Sequence, residues 1–378
     1  MSPEQRILKE CLARLDADPA GAMNYFYGRL FTAEPRLRAL FPPAMGRQHD
    51  RFFEALTRLV SGQDHPEELA AHLERLGRGH RKYGVLAEHY PAVEAALTAT
   101  LRAFAGGAWT AEAEDAWRTA YRSAADTMIR AADRDARDAP PWWVAEVVEH
   151  DRRAPDLAVL TLRPERPLPF AAGQHVPVQT ARWPRVWRRY SIANAPRPDG
   201  LLRLHVRAHP AGWVSGALVR HTGPGDTLLL GPPDGGMTLD PGSDRPLLLA
   251  GGGTGLAPVK ALAEQAIASG RDCDVHLLVA ARHATGLYDL PELRLLESHH
   301  PRLRVVPVLS RGAAADGLSG LSGRVPDVLP RLLDGARGDE HEAYVAGPVP
   351  MVRETVTALQ SLGVPLARIR HDLLAAGG

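Results

Sequence analysis

Arg188-Arg189-Tyr190-Ser191-Ile192-Ala193-Asn194 is the stretch on which the reading of this chain turns. It places an aromatic ring beside a hydroxyl, behind two arginines. Tyr190 is suited to lie against a flat heteroaromatic ring, Ser191 to hydrogen-bond a ring nitrogen or carbonyl, and Arg188 to grip a phosphate with its forked donors. Upstream, residues 157–162 and 176–178 have strand character. Downstream, Leu202-Arg203-Leu204-His205-Val206-Arg207 alternates apolar and basic, as a half-buried strand does. The pattern fits a small antiparallel barrel holding a phosphate-bearing aromatic cofactor, or more plainly an arginine cluster capping a strand.

The next motif weighs for the cofactor. A buried-strand pattern over 245–250 runs into Gly251-Gly252-Gly253-Thr254-Gly255-Leu256-Ala257-Pro258, and a helical pattern continues to Ala268. Strand, glycine turn and helix together bring a pyrophosphate onto backbone N–H groups at a helix N-terminus. Pro258 replaces the third glycine of the strict dinucleotide fingerprint. Beyond it, strand and helix patterns alternate to the end of the chain, predicting a parallel sheet covered on both faces, with ligands at the carboxyl ends of its strands.

A chain of 378 residues divides naturally into two or three domains. Lysine plus arginine number 45 against 44 acidic residues, a formal charge of +1, so nothing calls for nucleic acid or an anionic membrane as partner. Cys11 and Cys273 are too few for a disulfide framework and suit a reducing compartment. The N-terminus lacks the apolar core of a signal peptide, and no apolar run nears the roughly 20 residues that span a bilayer. A cytoplasmic monomer without membrane attachment is expected.

Residues 1–138 carry no strand pattern. Ile7, Leu8, Cys11, Leu12 and Leu15, then Met23, Phe26, Tyr27, Leu30 and Phe31, recur at helical spacing. Asp64-His65-Pro66-Glu67-Glu68 reads as a helix start with Asp64 as capping carboxylate. From there Leu69, Leu73, Leu76 and His80 share one apolar face. A histidine so placed must be neutral, hydrogen-bonded, or a ligand. Asp135 to Pro141 is polar, then proline-stiffened, and reads as a domain junction.

Three resemblances follow from these motifs. Arg-x-Tyr-Ser, Gly212-Trp213-Val214-Ser215, the glycine loop and Tyr344-Val345-Ala346-Gly347-Pro348, in that order, resemble the ferredoxin-reductase-like flavin reductases. The helical third, with Tyr25 to Phe31, Leu40-Phe41-Pro42 and Gly79 to Tyr83, resembles a bacterial globin. Joined, they resemble the flavohaemoglobins. The resemblance implies an all-α globin (1–138), an antiparallel β-barrel that binds FAD (139–243) and an α/β parallel-sheet domain that binds NADH or NADPH (244–378).

On that resemblance His80 is the proximal ligand of a haem b iron, Tyr27 the distal donor, Tyr90 the proximal-side tyrosine, and Phe41 the haem wedge. Phe52, with Gln48 as the alternative, occupies the distal position, and Leu56 lines the wall one turn on. His175, Arg188, Arg189, Tyr190, Ser191, Arg207, Gly212, Val214 and Ser215 fall to FAD. Gly253, Thr254, Gly255, Leu256, Ala257, Pro258, Gly347 and Pro348 fall to the nicotinamide dinucleotide, with Asp372 and Leu374 near the flavin. The implied activity is nitric oxide dioxygenase, taking NO and O2 to nitrate with electrons passing from NAD(P)H through FAD to haem. A divergent NAD(P)H oxidase or haem reductase and a haem-based gas sensor are the alternatives. The chain departs from the family at Gly79, where a lysine is usual, near Ala132, where a relay glutamate is usual, and at Ala346 and Leu374, where cysteine and an aromatic are usual.

Overall fold

The computed structural model describes residues 2–311, 320–333 and 338–372. It divides into two compact units, Met1–Trp142 and Trp143–Gly378.

The first unit is helical throughout its described residues: α1 (Pro3–Leu15), α2 (Pro19–Ala33), α3 (Gly46–Ser61), α4 (Pro66–Arg81), α5 (Tyr90–Phe104) and α6 (Ala111–Asp138). α1 begins with a capping box, Ser2 and Gln5 each bonding the other's backbone N–H. Asp64 does not cap α4 as its sequence suggests. The cap position is His65, with no side-chain bond, and the Asp64 carboxylate accepts from Lys9 at 3.3 Å. Pro66 at the first helical position, which needs no N–H partner, marks the start instead.

The core of this unit gathers Phe26, Met23, Leu97, Leu101 and Trp117, all essentially inaccessible. Each such side chain contributes about 1.5–3 kcal/mol of transfer free energy. A smaller cluster of Leu59, Leu73, Ala124 and Met128, with Leu69, Leu76 and Tyr90 packed on it, seats α4 on α6. The approach is close at Gly77, where a Cβ would stand 2.2 Å from the Met128 carbonyl oxygen. That contact fixes the last turn of α4, which carries His80.

In the second unit β1 (Trp143–Ala154), β2 (Leu157–Pro164), β3 (His175–Thr180), β4 (Arg188–Ser191), β5 (Leu202–Arg207) and β6 (Thr227–Leu230) form an antiparallel sheet in the order β4-β3-β6-β1-β2-β5. A bridge between Ile192 and Leu204 draws its two edges together, leaving a nearly closed barrel. α7 (Trp213–Arg220) follows β5.

A parallel sheet comes next, with β7 (Leu247–Gly252), β8 (Val275–Ala281), β9 (Leu303–Leu309), β10 (Leu321–Ser322), β11 (Glu342–Ala346) and β12 (Ile369–Asp372) in the order β10-β9-β8-β7-β11-β12. Its helices are α8 (Leu256–Ala268), α9 (Leu290–His299), α10 (Val325–Leu332) and α11 (Val349–Ser361). β7 and β11 are buried along their whole length, as central strands covered on both faces must be. This is the helical, antiparallel, then parallel architecture expected from the sequence. No helix among the described residues is long and apolar enough to cross a membrane.

Candidate functional site

His80 lies in the last turn of α4 and is partly buried. Burial lowers its pKa to about 4, and Lys82 adds to the shift. A helix C-terminus ordinarily favours the protonated ring, so here desolvation has overridden the dipole. A neutral imidazole is the form that ligates a metal. Its Nδ1 lies 3.4 Å from the Tyr90 hydroxyl at the start of α5. Burial raises the Tyr90 phenol to about 12, and the Tyr121 hydroxyl donates to the Tyr90 carbonyl at 2.9 Å. Of the two acids near the expected relay position, Asp133 and Asp135, the second pairs with Arg81. No group of three potential metal-ligating side chains occurs among the described residues. A neutral imidazole is suited to a metal whose other ligands come with it, as in a porphyrin.

An aromatic wall belongs to the same unit. Tyr27, 4% exposed, packs edge-on to Phe41 at 5.6 Å and to Phe52 at 6.1 Å, while Phe52 stacks on Phe26 at 4.3 Å. The Tyr27 hydroxyl donates to the Gln48 backbone carbonyl at 3.4 Å, and burial raises its pKa. Gln48 thus meets Tyr27 through its main chain, and Phe52 through its ring. Leu56 is buried in the same cluster. His49 escaped the sequence reading, yet its ring stacks on Tyr27 at 4.9 Å and 12°. Its position three residues before Phe52 in α3, on one helical face, was the available signal.

On the barrel, β4 presents Arg188, Tyr190 and Ser191 at intermediate exposure. Burial raises the Tyr190 phenol. Arg188 donates to the Trp187 carbonyl at 2.8 Å. His175 starts β3 opposite Ser191 and is 7% exposed, under the Gly235 turn rather than in solvent. Arg207 pairs with Asp156 at 2.5 Å. The N-terminus of α7 has no side-chain cap, so the first N–H groups after Gly212 remain available to an anion, while Val214 and Ser215 are buried.

The glycine loop closes the arrangement. A Cβ on Gly255 would stand 2.5 Å from Ala346 and Gly347 backbone atoms, so only glycine lets the loop lie against the Gly347-Pro348 turn. α8 begins immediately after it with no side-chain cap, and Leu256, Ala257 and Pro258 are buried in its first turn. Asp372 pairs in register with Ala346 beside that turn. Burial raises its carboxyl, against the opposing charges of Arg189 and His371. A cavity of about 300 Å³ opens here, lined by Gly173, Gly235, Gly236, Met237, Arg370, His371 and Asp372 among others. Leu374 lies outside the described residues.

Three family models match the chain in this order: globin over residues 24–128, oxidoreductase FAD-binding domain over 144–238, and oxidoreductase NAD-binding domain over 249–357. The flavohaemoprotein of Bordetella pertussis is 31% identical over 408 residues, covering 100% of this chain and 99% of its own. The chain belongs to the flavohaemoprotein family. It is an oxidoreductase. A flavohaemoglobin structure from Malassezia yamatoensis, with FAD and haem bound, superposes with a TM-score of 0.77 over 98% of both chains; at 20% identity this bears on the fold alone. The chain is also similar to XylA, the xylene/toluene monooxygenase electron transfer component of Pseudomonas putida, 34% identical over 58% of this chain and 62% of that protein.

Proposed function

We propose that this flavohaemoprotein family member is an NAD(P)H-dependent nitric oxide dioxygenase that binds haem b, FAD and NADH or NADPH. The observation that carries the reading is His80: a desolvated neutral imidazole, backed by Tyr90, in one helical unit with the Tyr27 aromatic wall. When bound, the flavin exchanges a hydride for single electrons and the haem accepts them and activates O2. The chain's own residues supply placement. His80 would supply the imidazole nitrogen that holds the haem iron, its Nδ1 steadied by the Tyr90 hydroxyl. Tyr27, its phenol kept protonated by burial, would be the hydroxyl donor toward a bound ligand, and Phe41, Phe52 and Leu56 would form the apolar wall beside it.

In the second unit Tyr190 and Ser191 are assigned to the flavin ring, and Arg188, Arg189, Gly212, Val214 and Ser215 to its phosphates, with His175 beneath. The dinucleotide is assigned to Gly253 through Pro258, with Gly347 and Pro348 at the nicotinamide end and Asp372 at the flavin. The domain limits that go with this reading are 1–138, 139–243 and 244–378. Arg207, already paired with Asp156, would have to exchange partners to face a phosphate.

A second reading, an NAD(P)H oxidase, is favoured by the proximal side, where Asp135 is held by Arg81. Supplying NO, O2 and NADH to the purified holoenzyme separates the two. The dioxygenase yields one nitrate per NO consumed. Hydrogen peroxide as the main product, with NO loss no faster than in His80→Ala, overturns it.

A further inference from the structure

β5 turns its basic face not to solvent but toward the parallel-sheet half. Arg203 meets Glu292 of α9 at 3.1 Å, and His205, 4% exposed, brings its Nδ1 within 2.8 Å of the Tyr288 hydroxyl. Tyr288 lies just before α9, and its hydroxyl donates at 3.4 Å to the carbonyl of Gly253 in the glycine loop. A phenol has one proton. Given to Gly253, it obliges His205 to be the donor at Nδ1, so the neutral tautomer carries its hydrogen there and leaves Nε2 as acceptor. Nε2 is buried and has no partner among the described atoms. One continuous path thus runs from a barrel strand through imidazole and phenol to the backbone of the loop.

The surroundings suit registration more than stability. Lys260 of α8, 3% exposed, binds Asp289 at 2.7 Å and Glu292 at 2.6 Å, and Arg153 of β1 reaches Glu292 at 3.0 Å. Buried ion clusters of this kind are seldom more stable than apolar replacements, but they admit few alternative alignments. The pairs that Arg153, Arg203 and Lys260 make with Asp289 and Glu292 each join the barrel to the sheet half, or α8 to the residues opening α9, while Arg153 also pairs with Asp151 of its own strand at 2.6 Å.

We infer that His205 and Tyr288 are a positioning pair, fastening the glycine loop to barrel strand β5 and so setting how a loop-bound nicotinamide dinucleotide meets the flavin. This rests on the reading that the loop holds that dinucleotide and the barrel holds FAD. Neither residue is assigned to touch the reacting atoms; each acts through Gly253. Since the loop's own N–H groups are untouched, dinucleotide affinity is governed separately from alignment. A misalignment of about 1 Å costs on the order of 100-fold in rate.

The test is anaerobic stopped-flow reduction of the flavin by NADH in the full-length, FAD-loaded protein, which needs neither NO nor a working haem. His205→Leu and Tyr288→Phe are each expected to lower the limiting reduction rate about 10- to 100-fold, with NADH half-saturation changed far less and the nicotinamide–flavin charge-transfer band weakened. His205→Asn, whose amide N–H stands where the Nδ1 hydrogen does, should restore most of the rate. The double variant His205→Leu/Tyr288→Phe should be no slower than either single one. Folded, flavin-loaded variants that reduce at the wild-type rate overturn the inference, as does an Asn variant as slow as the Leu variant. A wild-type chain that never retains FAD fails the underlying reading instead.

Discussion

Two histidines in this chain each place Nδ1 on a tyrosine hydroxyl, and they differ in nearly everything else. His80 stands 3.4 Å from Tyr90, is partly exposed, and has its pKa lowered to about 4 by burial with Lys82 assisting. His205 stands 2.8 Å from Tyr288, is 4% exposed, and is pushed well down by burial, with Lys260 next in effect and Glu292 opposing. Both are neutral, yet only His80 sits where something other than protein can approach it. The hydrogen-bonded pair alone therefore does not announce a ligand; access does. In the helical unit the phenol steadies an imidazole that has work to do at its other nitrogen. In the reductase unit the same pair is walled in by charge and joins two sheets.

Changing the charge around His205 should give the largest effect. Lys260→Met leaves the buried Asp289 without its closest cation, while Glu292 keeps Arg203 and Arg153, and unfolding of the second unit in urea should show a loss of about 3–5 kcal/mol. Adding Asp289→Leu should recover part of it; no recovery would mean that the lysine acts by packing. Burial raises the Asp289 carboxyl, whereas Glu292, also raised by burial, is pulled to about 2 by Lys260, Arg203 and Arg153.

On the other side of the comparison, Gly77→Ala should push α4 off α6 at Met128 and lower the stability of the helical unit by about 1–3 kcal/mol, loosening haem retention with it. Thermal unfolding followed by far-ultraviolet dichroism checks this, and an unchanged midpoint would show that α4 can shift freely. Tyr90→Phe should cost less, about 1 kcal/mol for one long hydrogen bond. The measurement is the rate of haem transfer to an acceptor globin. A loss exceeding that of Gly77→Ala would make the phenol more than a steadying partner.

Acid should separate the two histidines most finely. His80 has a folded-state pKa depressed from the ordinary 6.5 to about 4, so between those values the unfolded chain binds the proton and the folded chain does not. Stability from this group is present above pH 6.5 and declines as pH falls toward 4. Ligation by His80 should likewise survive from pH 7 to 5, read from the Soret band. Loss centred near 6.5 would mean that the ring is not desolvated.

The sequence made the elements legible wherever a local pattern set them. Leu69, Leu73, Leu76 and His80 share a helix face because the 3.6-residue period requires it, and the strand–glycine–helix over 245–268 needs no tertiary knowledge. Asp64 was misread as a cap because Lys9, 55 residues away, holds its carboxylate. His49 went unnoticed because nothing local tells a stacked histidine from a solvated one. Alternation in β5 revealed its two faces, but not that Tyr288 and Glu292 would cover the basic one. Periodicity gives direction; only the folded chain gives the neighbour.

That His80 holds an iron that the flavin can reduce is tested most directly by the absorption spectrum of the purified protein. Wild-type protein, supplied with hemin and FAD and then with NADH without oxygen, should show a flavin band that bleaches and a Soret band that shifts to the ferrous position, while His80→Ala keeps the first response and loses the second. A wild-type spectrum with flavin alone, or a Soret band untouched by NADH and unchanged in His80→Ala, would contradict it.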